Sequence, residues 1–187
     1  MPQSRTILTI CGSLRSGSYN AALARALPAL APEGLRIVAS PGLDEIPSYN
    51  ADVQGAGFPA PVTALGEAVR QADGVIFVTP EYNYSVPGVL KNAIDWLSRL
   101  QPAPFAGKPV AIQSASMSVL GGVRAQYHLR QVLVFLDALV LNKPEIMVAS
   151  AQAKFSAEGE LTDAATRDFV KAQLAAFAGF VDRFGGR

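Results

Sequence analysis

The chain has almost none of the side chains on which hard enzyme chemistry is usually built. Cys11 is the only cysteine and His128 the only histidine among 187 residues. A lone cysteine excludes an internal disulfide and a cysteine metal cluster. One cysteine and one histidine are a poor basis for a zinc site or a Cys–His nucleophile pair. Cys11 closes an apolar run, where it reads as a packed strand residue, a reactive thiol being the alternative. No His–acid–Ser set is present, and no acidic pair follows the first apolar run as a phosphoacceptor site would require. Such a chain is better suited to binding and orienting a cofactor than to doing chemistry with its own side chains.

Charge and long apolar runs are scarce as well. Charged residues make up 17% of the chain, and sixteen basic residues against fifteen acidic leave a net charge of +1. No basic block stands out, so nucleic acid is not an expected partner. No window approaches the ~18 consecutive apolar residues of a membrane span, and "MPQSRTILTICG" lacks the apolar length and cleavage pattern of a signal peptide. These features predict a soluble, cytoplasmic protein that holds no metal.

What is present is apolar residues, which make up 50% of the chain. They are spread evenly in short runs, and one domain over residues 1–187 is expected. Arg5–Cys11 reads as a buried strand, Ser18–Leu30 as a helix in which Pro28 is awkward, and Leu35–Ala39 as a second strand. Ser40–Pro61 reads as a long surface loop and Val62–Gln71 as a helix. Asp73–Thr79, with four consecutive apolar residues from Val75, is the clearest buried strand. A helix is expected from Pro87 to about Arg99, a strand over Pro109–Ser114 and a helix over Val123–Leu136. Leu139–Leu141 and Glu145–Val148 form a fifth strand interrupted by Asn-Lys-Pro. A closing helix runs over Thr162–Phe184, with Thr162 as its N-cap. This alternation predicts an α/β fold, a flavodoxin-like three-layer sandwich. Its five-stranded parallel sheet would run in the order 2-1-3-4-5 with helices on both faces. Ligands in such sheets bind beyond the carboxyl ends of the strands, at the switch between strands 1 and 3. Three loops of unusual composition would meet there.

The first loop, Gly12–Asn20, reads "GSLRSGSYN". It joins a strand to a helix N-terminus, whose free amides attract a phosphate. Ser13, Ser16 and Ser18 offer hydroxyls, Asn20 an amide and Arg15 a planar cation. It matches neither the P-loop pattern, since Ser18 stands where the lysine belongs, nor GxGxxG. A capping loop with Ser18 as N-cap and Arg15 in solvent is the alternative. The second loop, "PEYNYSVPG" from Pro80 to Gly88, suits a flat, partly polar heterocycle, or else a rigid turn with tyrosines at an interface. The third, "QSASMSVLGGVRAQ", carries small residues and hydroxyls that can lie along a ring edge.

Gly12–Asn20 and the stretch "PEYNYSVPGVLKNAIDW", Pro80 to Trp96, resemble the two signature motifs of the NADPH-dependent FMN reductase family. Gly121–Glu145 resembles its bacterial quinone and chromate reductases, and the similarity spans about residues 5 to 183. The resemblance implies FMN as cofactor and NADPH or NADH as co-substrate. By the same resemblance Ser13, Arg15, Ser18, Tyr19 and Asn20 would hold the FMN phosphate. Pro80, Glu81, Tyr82, Asn83 and Tyr84 would border the isoalloxazine ring, largely through backbone groups, and Ser114 and Ser116 would stand near the ring or ribityl chain. Ser118 departs from the glycine often found there, which bears on the path of the third loop. The implied reaction is ping-pong hydride transfer from NAD(P)H to bound FMN and then to quinones, azo compounds or metal oxyanions such as chromate, with no catalytic side chain assigned. A homodimer or homotetramer is implied, with Arg124, Tyr127 and Glu145 bonding across subunits or, alternatively, capping and packing within the chain. A flavodoxin-like electron carrier and a flavin-binding regulatory protein without NAD(P)H turnover are the alternative functions; carriers of the first kind tend to be strongly acidic, unlike this chain.

Overall fold

A computed structural model describes residues 4–185. Six strands alternate with helices: β1 Arg5–Cys11, α1 Tyr19–Leu30, β2 Leu35–Ala39, α2 Ala51–Ala56, α3 Ala60–Gln71, β3 Gly74–Val78, α4 Gly88–Leu97, β4 Pro109–Ala115, α5 Val123–Phe135, β5 Leu139–Val140, β6 Ile146–Val148 and α6 Ala164–Phe184. All pairings are parallel and the sheet runs β2-β1-β3-β4-β5, with β6 also on β4. That is the order expected from the sequence.

The central strand shows how the apolar pattern makes the layers. Every residue of β3 is buried. Side chains alternate across a strand, so Ile76 and Val78 pack with Leu23, Leu27 and Phe177 of α1 and α6. Val75 and Phe77 face the other way, into a second core with Trp96, Phe105 and Leu133. A strand sealed on both faces needs no polar alternation, which is why the run is continuous.

Several boundaries differ from the sequence reading. The region 40–61 is not all loop, because Asn50 accepts the Asp52 amide at 2.8 Å and starts the short α2. The helix α3 begins at Ala60, two residues early, with Pro61 in its first turn where a missing amide costs nothing. Pro28 stays inside α1, exposed and in its last turn, where it removes only a terminal bond. The fifth strand is two segments. β5 pairs with Pro109–Val110 and β6 with Gln113–Ala115, so both lie along the same edge of β4 on either side of Asn142–Pro144. The cap of α6 is Asp163, not Thr162: Asp163 Oδ1 accepts the Thr166 amide at 2.8 Å, while the Thr162 hydroxyl donates to the Lys154 carbonyl. A carboxylate one residue later reaches the amides that the hydroxyl cannot.

Candidate functional site

Three chain segments leave the carboxyl ends of β1, β3 and β4, and hydrogen bonds tie them into one unit. Gly12 donates to the Val78 carbonyl at 2.9 Å, and Thr79 to the Gln113 carbonyl at 2.9 Å. A Cβ at Gly12 would come within 3.0 Å of both Leu90 and Thr79, so only glycine lets the strand ends close up here.

The first loop is split between bracing and presentation. Ser18 is buried and caps α1, its Oγ accepting from the Asn20 and Ala21 amides at 3.2 and 3.3 Å. Its hydroxyl proton is left to donate. Asn20 is buried, and its side chain grips the end of β4: Nδ2 donates to the Ala115 carbonyl at 2.9 Å and Oδ1 accepts the Ala115 amide at 2.8 Å. Asn20 is thus a brace between the first and third loops. The ring of Tyr19 packs against Phe155 with centroids 5.5 Å apart, which leaves its backbone amide at the loop. Ser13 is half-buried and its carbonyl accepts the Cys11 thiol. Leu14 to Gly17 are exposed. Arg15 folds back over the loop, with Nη1 3.1 Å from where a Cβ on Gly17 would stand. Among the described residues, the amides of Arg15, Ser16, Gly17 and Tyr19 donate to no protein acceptor. Unpaired amides, an arginine and a helix N-terminus together make an anion cradle.

The second loop is a tight hairpin. Tyr82 and Ser85 exchange both backbone hydrogen bonds, at 3.1 and 3.0 Å. Asn83 and Tyr84 between them have φ of 50° and 64°. Asparagine tolerates that region, whereas a bulky tyrosine there is strained, a condition that gathers at functional sites. The Arg124 guanidinium lies 3.9 Å over the Tyr84 ring and offsets the strain. The Pro80 carbonyl accepts the Thr79 hydroxyl at 3.0 Å. Glu81 turns its side chain away from the crevice to cap α5, with Oε2 accepting the Arg124 and Ala125 amides at 2.9 and 3.2 Å and Oε1 meeting Arg124 Nη1 at 3.3 Å. Gly122 at the cap position offers no side chain, so the carboxylate of another loop supplies the anion that the helix dipole favours. The Ser85 hydroxyl meets His128 Nδ1 at 3.0 Å and adds a second tie to α5. What faces outward from the second loop is therefore backbone, together with the exposed Tyr82, Asn83 and Tyr84.

The third loop depends on a residue that motif reading passes over. Ser114 is fully buried; its hydroxyl donates to the Gly121 carbonyl at 2.6 Å and accepts from Gln126 Nε2 at 2.7 Å. Gln126 also donates to the Ile146 carbonyl at 2.7 Å, joining β4, β6, α5 and the loop. The signal was in the sequence. Gln126 sits three and seven residues before Leu129 and Leu133, on the apolar stripe of α5, where a polar side chain must have a partner. Ser116, half-buried, accepts the Ser118 amide at 3.1 Å and lies 3.2 Å from the Ser118 hydroxyl. The Ser118 carbonyl in turn accepts the Ser150 amide at 3.2 Å. Ser118 is exposed and the loop closes around it.

Two of the three residues named for subunit contacts are engaged within the chain. Arg124 holds Glu81, and Glu145 lies 3.6 Å from Arg130. Tyr127 is exposed. No helix of the described residues is long and apolar enough to cross a membrane.

The arrangement can hold a phosphate-bearing molecule with a flat ring: an anion cradle on one side, rigid outward-facing backbone on another, small hydroxyl residues between. The comparisons agree with it. The family model for NADPH-dependent FMN reductase matches residues 5–153. A quinone reductase of Escherichia coli (strain K12) is 57% identical over 185 residues, 98% of each chain. An NAD(P)H-dependent FMN reductase of Pseudomonas aeruginosa is 52% identical over 180 residues, 96% of this chain and 97% of that one. Among solved structures, a flavoenzyme NAD(P)H:(acceptor) oxidoreductase of Paracoccus denitrificans superposes with a TM-score of 0.88 at 32% identity, covering 97% of this chain and 100% of the other. With both motif loops inside the matched span and full-length relatives above half identity, the chain belongs to the NADPH-dependent FMN reductase family.

Proposed function

We propose that the protein is an FMN-containing oxidoreductase that uses NAD(P)H to reduce quinones. The observation that carries this reading is the exposed loop at the α1 N-terminus, with unpaired amides and a free Arg15, locked by Asn20 to the end of β4. That loop fits the terminal phosphate of FMN. Ser13, Arg15, the Ser18 hydroxyl and the amides beside Tyr19 would hold it, with Asn20 keeping the loop in place. A phosphate that is only held, never transferred, needs no P-loop lysine and no magnesium ligand. The rigid turn Pro80–Tyr84 would border the ring through its backbone. Ser114 would act from behind, by fixing Gly121, and Ser116 would face the ribityl side. When bound, FMN supplies the two-electron carrier between nucleotide and acceptor. The protein's part is to bind, orient and keep the ring face accessible.

The whole described chain is read as one flavodoxin-like domain in the cytoplasm. Chromate and azo compounds are further acceptors in this reading. A homodimer or homotetramer is supported by α5, which exposes 52% of Tyr127, 77% of Val134 and 82% of Phe135. Spaced seven and one residues apart, these three share one helix face. Arg124 and Glu145 flank it and would exchange their internal partners for ones on a second copy.

The test is direct. Protein purified with added FMN is mixed with NADPH or NADH and a benzoquinone, and nucleotide oxidation is followed by absorbance. Turnover with either nucleotide is the expected result. Bound FMN without turnover would favour an electron carrier, and failure to retain FMN would overturn the reading.

A further inference from the structure

The third loop is held from behind by a strained segment. Ser150, just after β6, has a φ of 50°, in the left-handed region that serine seldom adopts. There its amide and the next one both meet the loop. Ser150 donates to the Ser118 carbonyl at 3.2 Å, and Ala151 to the Ser116 carbonyl at 3.0 Å. The Ser116 amide donates back to the Val148 carbonyl at 2.9 Å. Such a conformation persists only where the surroundings over-determine it. The carbonyls of Ser116 and Ser118 are therefore engaged with the segment behind, whereas the Met117 and Val119 amides donate to no acceptor among the described residues.

The two hydroxyls of the loop are used unequally. Ser116 Oγ accepts the Ser118 amide at 3.1 Å and donates its proton to Ser118 Oγ at 3.2 Å, so its donor is taken up inside the loop. Ser118 Oγ only accepts. Its own proton has no protein acceptor among the described residues, and the residue is exposed. A hydroxyl that already accepts one hydrogen bond is polarised toward donating another. The loop also lies beside the turn that would border the ring: a Cβ on Gly122 would stand 3.9 Å from Glu81 Cβ. No charged side chain occurs from Gln113 to Val123, so a side-chain contact from this loop is a neutral one.

We propose that Ser118 is a hydrogen-bond donor to bound FMN, acting on a carbonyl oxygen of the ring, with Ser116 and the Ser150 segment orienting it. The inference rests on the flavin reading above and adds to it a side chain that reading leaves out. Reduction places negative charge on the ring, and a fixed donor strengthens as its acceptor gains charge, so the contact favours reduced over oxidised flavin.

The test titrates FMN into FMN-free protein, followed by quenching of flavin fluorescence, and measures the midpoint potential of the bound flavin by equilibration with a reference dye. Ser118→Ala is expected to raise the FMN Kd about 2- to 10-fold, the range of one neutral hydrogen bond, and to move the potential to a more negative value. Urea unfolding of the FMN-free protein is expected to be unchanged, because the hydroxyl is exposed. Ser118→Thr keeps the hydroxyl and is expected to bind FMN within about twofold of wild type. Ser116→Ala leaves Ser118 its proton and is expected to cost less affinity than Ser118→Ala. The inference is overturned if Ser118→Ala leaves either the affinity or the potential unchanged, if Ser118→Thr is no better than Ser118→Ala, or if Ser116→Ala costs as much, which would make the hydroxyl pair a brace of the loop. Wild-type protein that takes up no FMN would overturn the flavin reading itself, and this inference with it.

Discussion

Asn20→Ala separates two roles for one residue of the first loop. If Asn20 serves mainly as a phosphate ligand, removing its side chain lowers FMN affinity and leaves the FMN-free protein as stable as before. If it is a brace, the FMN-free protein is weakened. The structure argues for the brace. Asn20 and Ala115 are each 3% exposed, and the truncation orphans both the amide and the carbonyl of Ala115. Each buried backbone group left unpaired costs about 1–3 kcal/mol, and partial relaxation toward the new space reduces the sum to about 2–4 kcal/mol. At this chain length, 1 kcal/mol moves the melting temperature by about 2–4 °C, so a fall of about 4–16 °C is expected. Urea unfolding of FMN-free wild type and variant, followed by circular dichroism, measures the difference directly, with unchanged m-values as the check that the denatured state is comparable. A loss under about 0.5 kcal/mol in the FMN-free protein would refute the reasoning and return Asn20 to the ligand role. Asn20→Asp is a second probe: it keeps the acceptor for the Ala115 amide but sets a carboxylate oxygen against the Ala115 carbonyl, so it is expected to be no better than alanine.

Three further outcomes follow from other parts of the site and fold. Arg15→Ala is expected to raise the FMN dissociation constant about 10-fold, the low end for a charged hydrogen bond because the side chain is exposed; equal affinity and equal salt dependence in a fluorescence-quench titration would remove Arg15 from the phosphate site. Gly121→Ala is expected to cost more than about 2 kcal/mol in urea unfolding, since φ there is +60° and the new Cβ would sit 2.7 Å from the Met147 backbone; a well-folded variant of wild-type stability would show the third loop takes another path. Lys108 donates to the Arg70 and Ala72 carbonyls at the end of α3, and burial lowers its pKa below 10.5. The folded state therefore binds fewer protons than the unfolded state in the window just under 10.5, and the stability of wild type relative to Lys108→Met should rise with pH through that window; a flat difference would contradict it.

Much of the fold is legible in the sequence because burial leaves a simple trace. Continuous apolar runs bounded by Gly, Pro and Asn mark parallel strands, and β3 could be little else. Sequence and structure part where a short local bond outweighs composition, as in the Asn50 cap that makes α2 within an apparent loop and the Asp163 cap that displaces Thr162. The site divides in the same way. That Ser18 caps a helix is a local pattern, readable as one of two alternatives. That Asn20 grips Ala115, 95 residues away, is not readable, because nothing in a single sequence records which strand end the amide meets.

The layer order, the sheet order, the three loops that matter and, through two long motifs, the family all follow from the chain's residues alone. They rest on local periodicity, turn chemistry and residue identity, which are properties of neighbours in the chain. What each polar side chain does was settled by the assembled fold. Glu81 serves α5, Gln126 and Ser114 fasten the third loop, and the Tyr84 turn is held under Arg124. A hydrogen bond forms within about 3 Å, and separations that small between distant residues exist only once the whole sheet has come together.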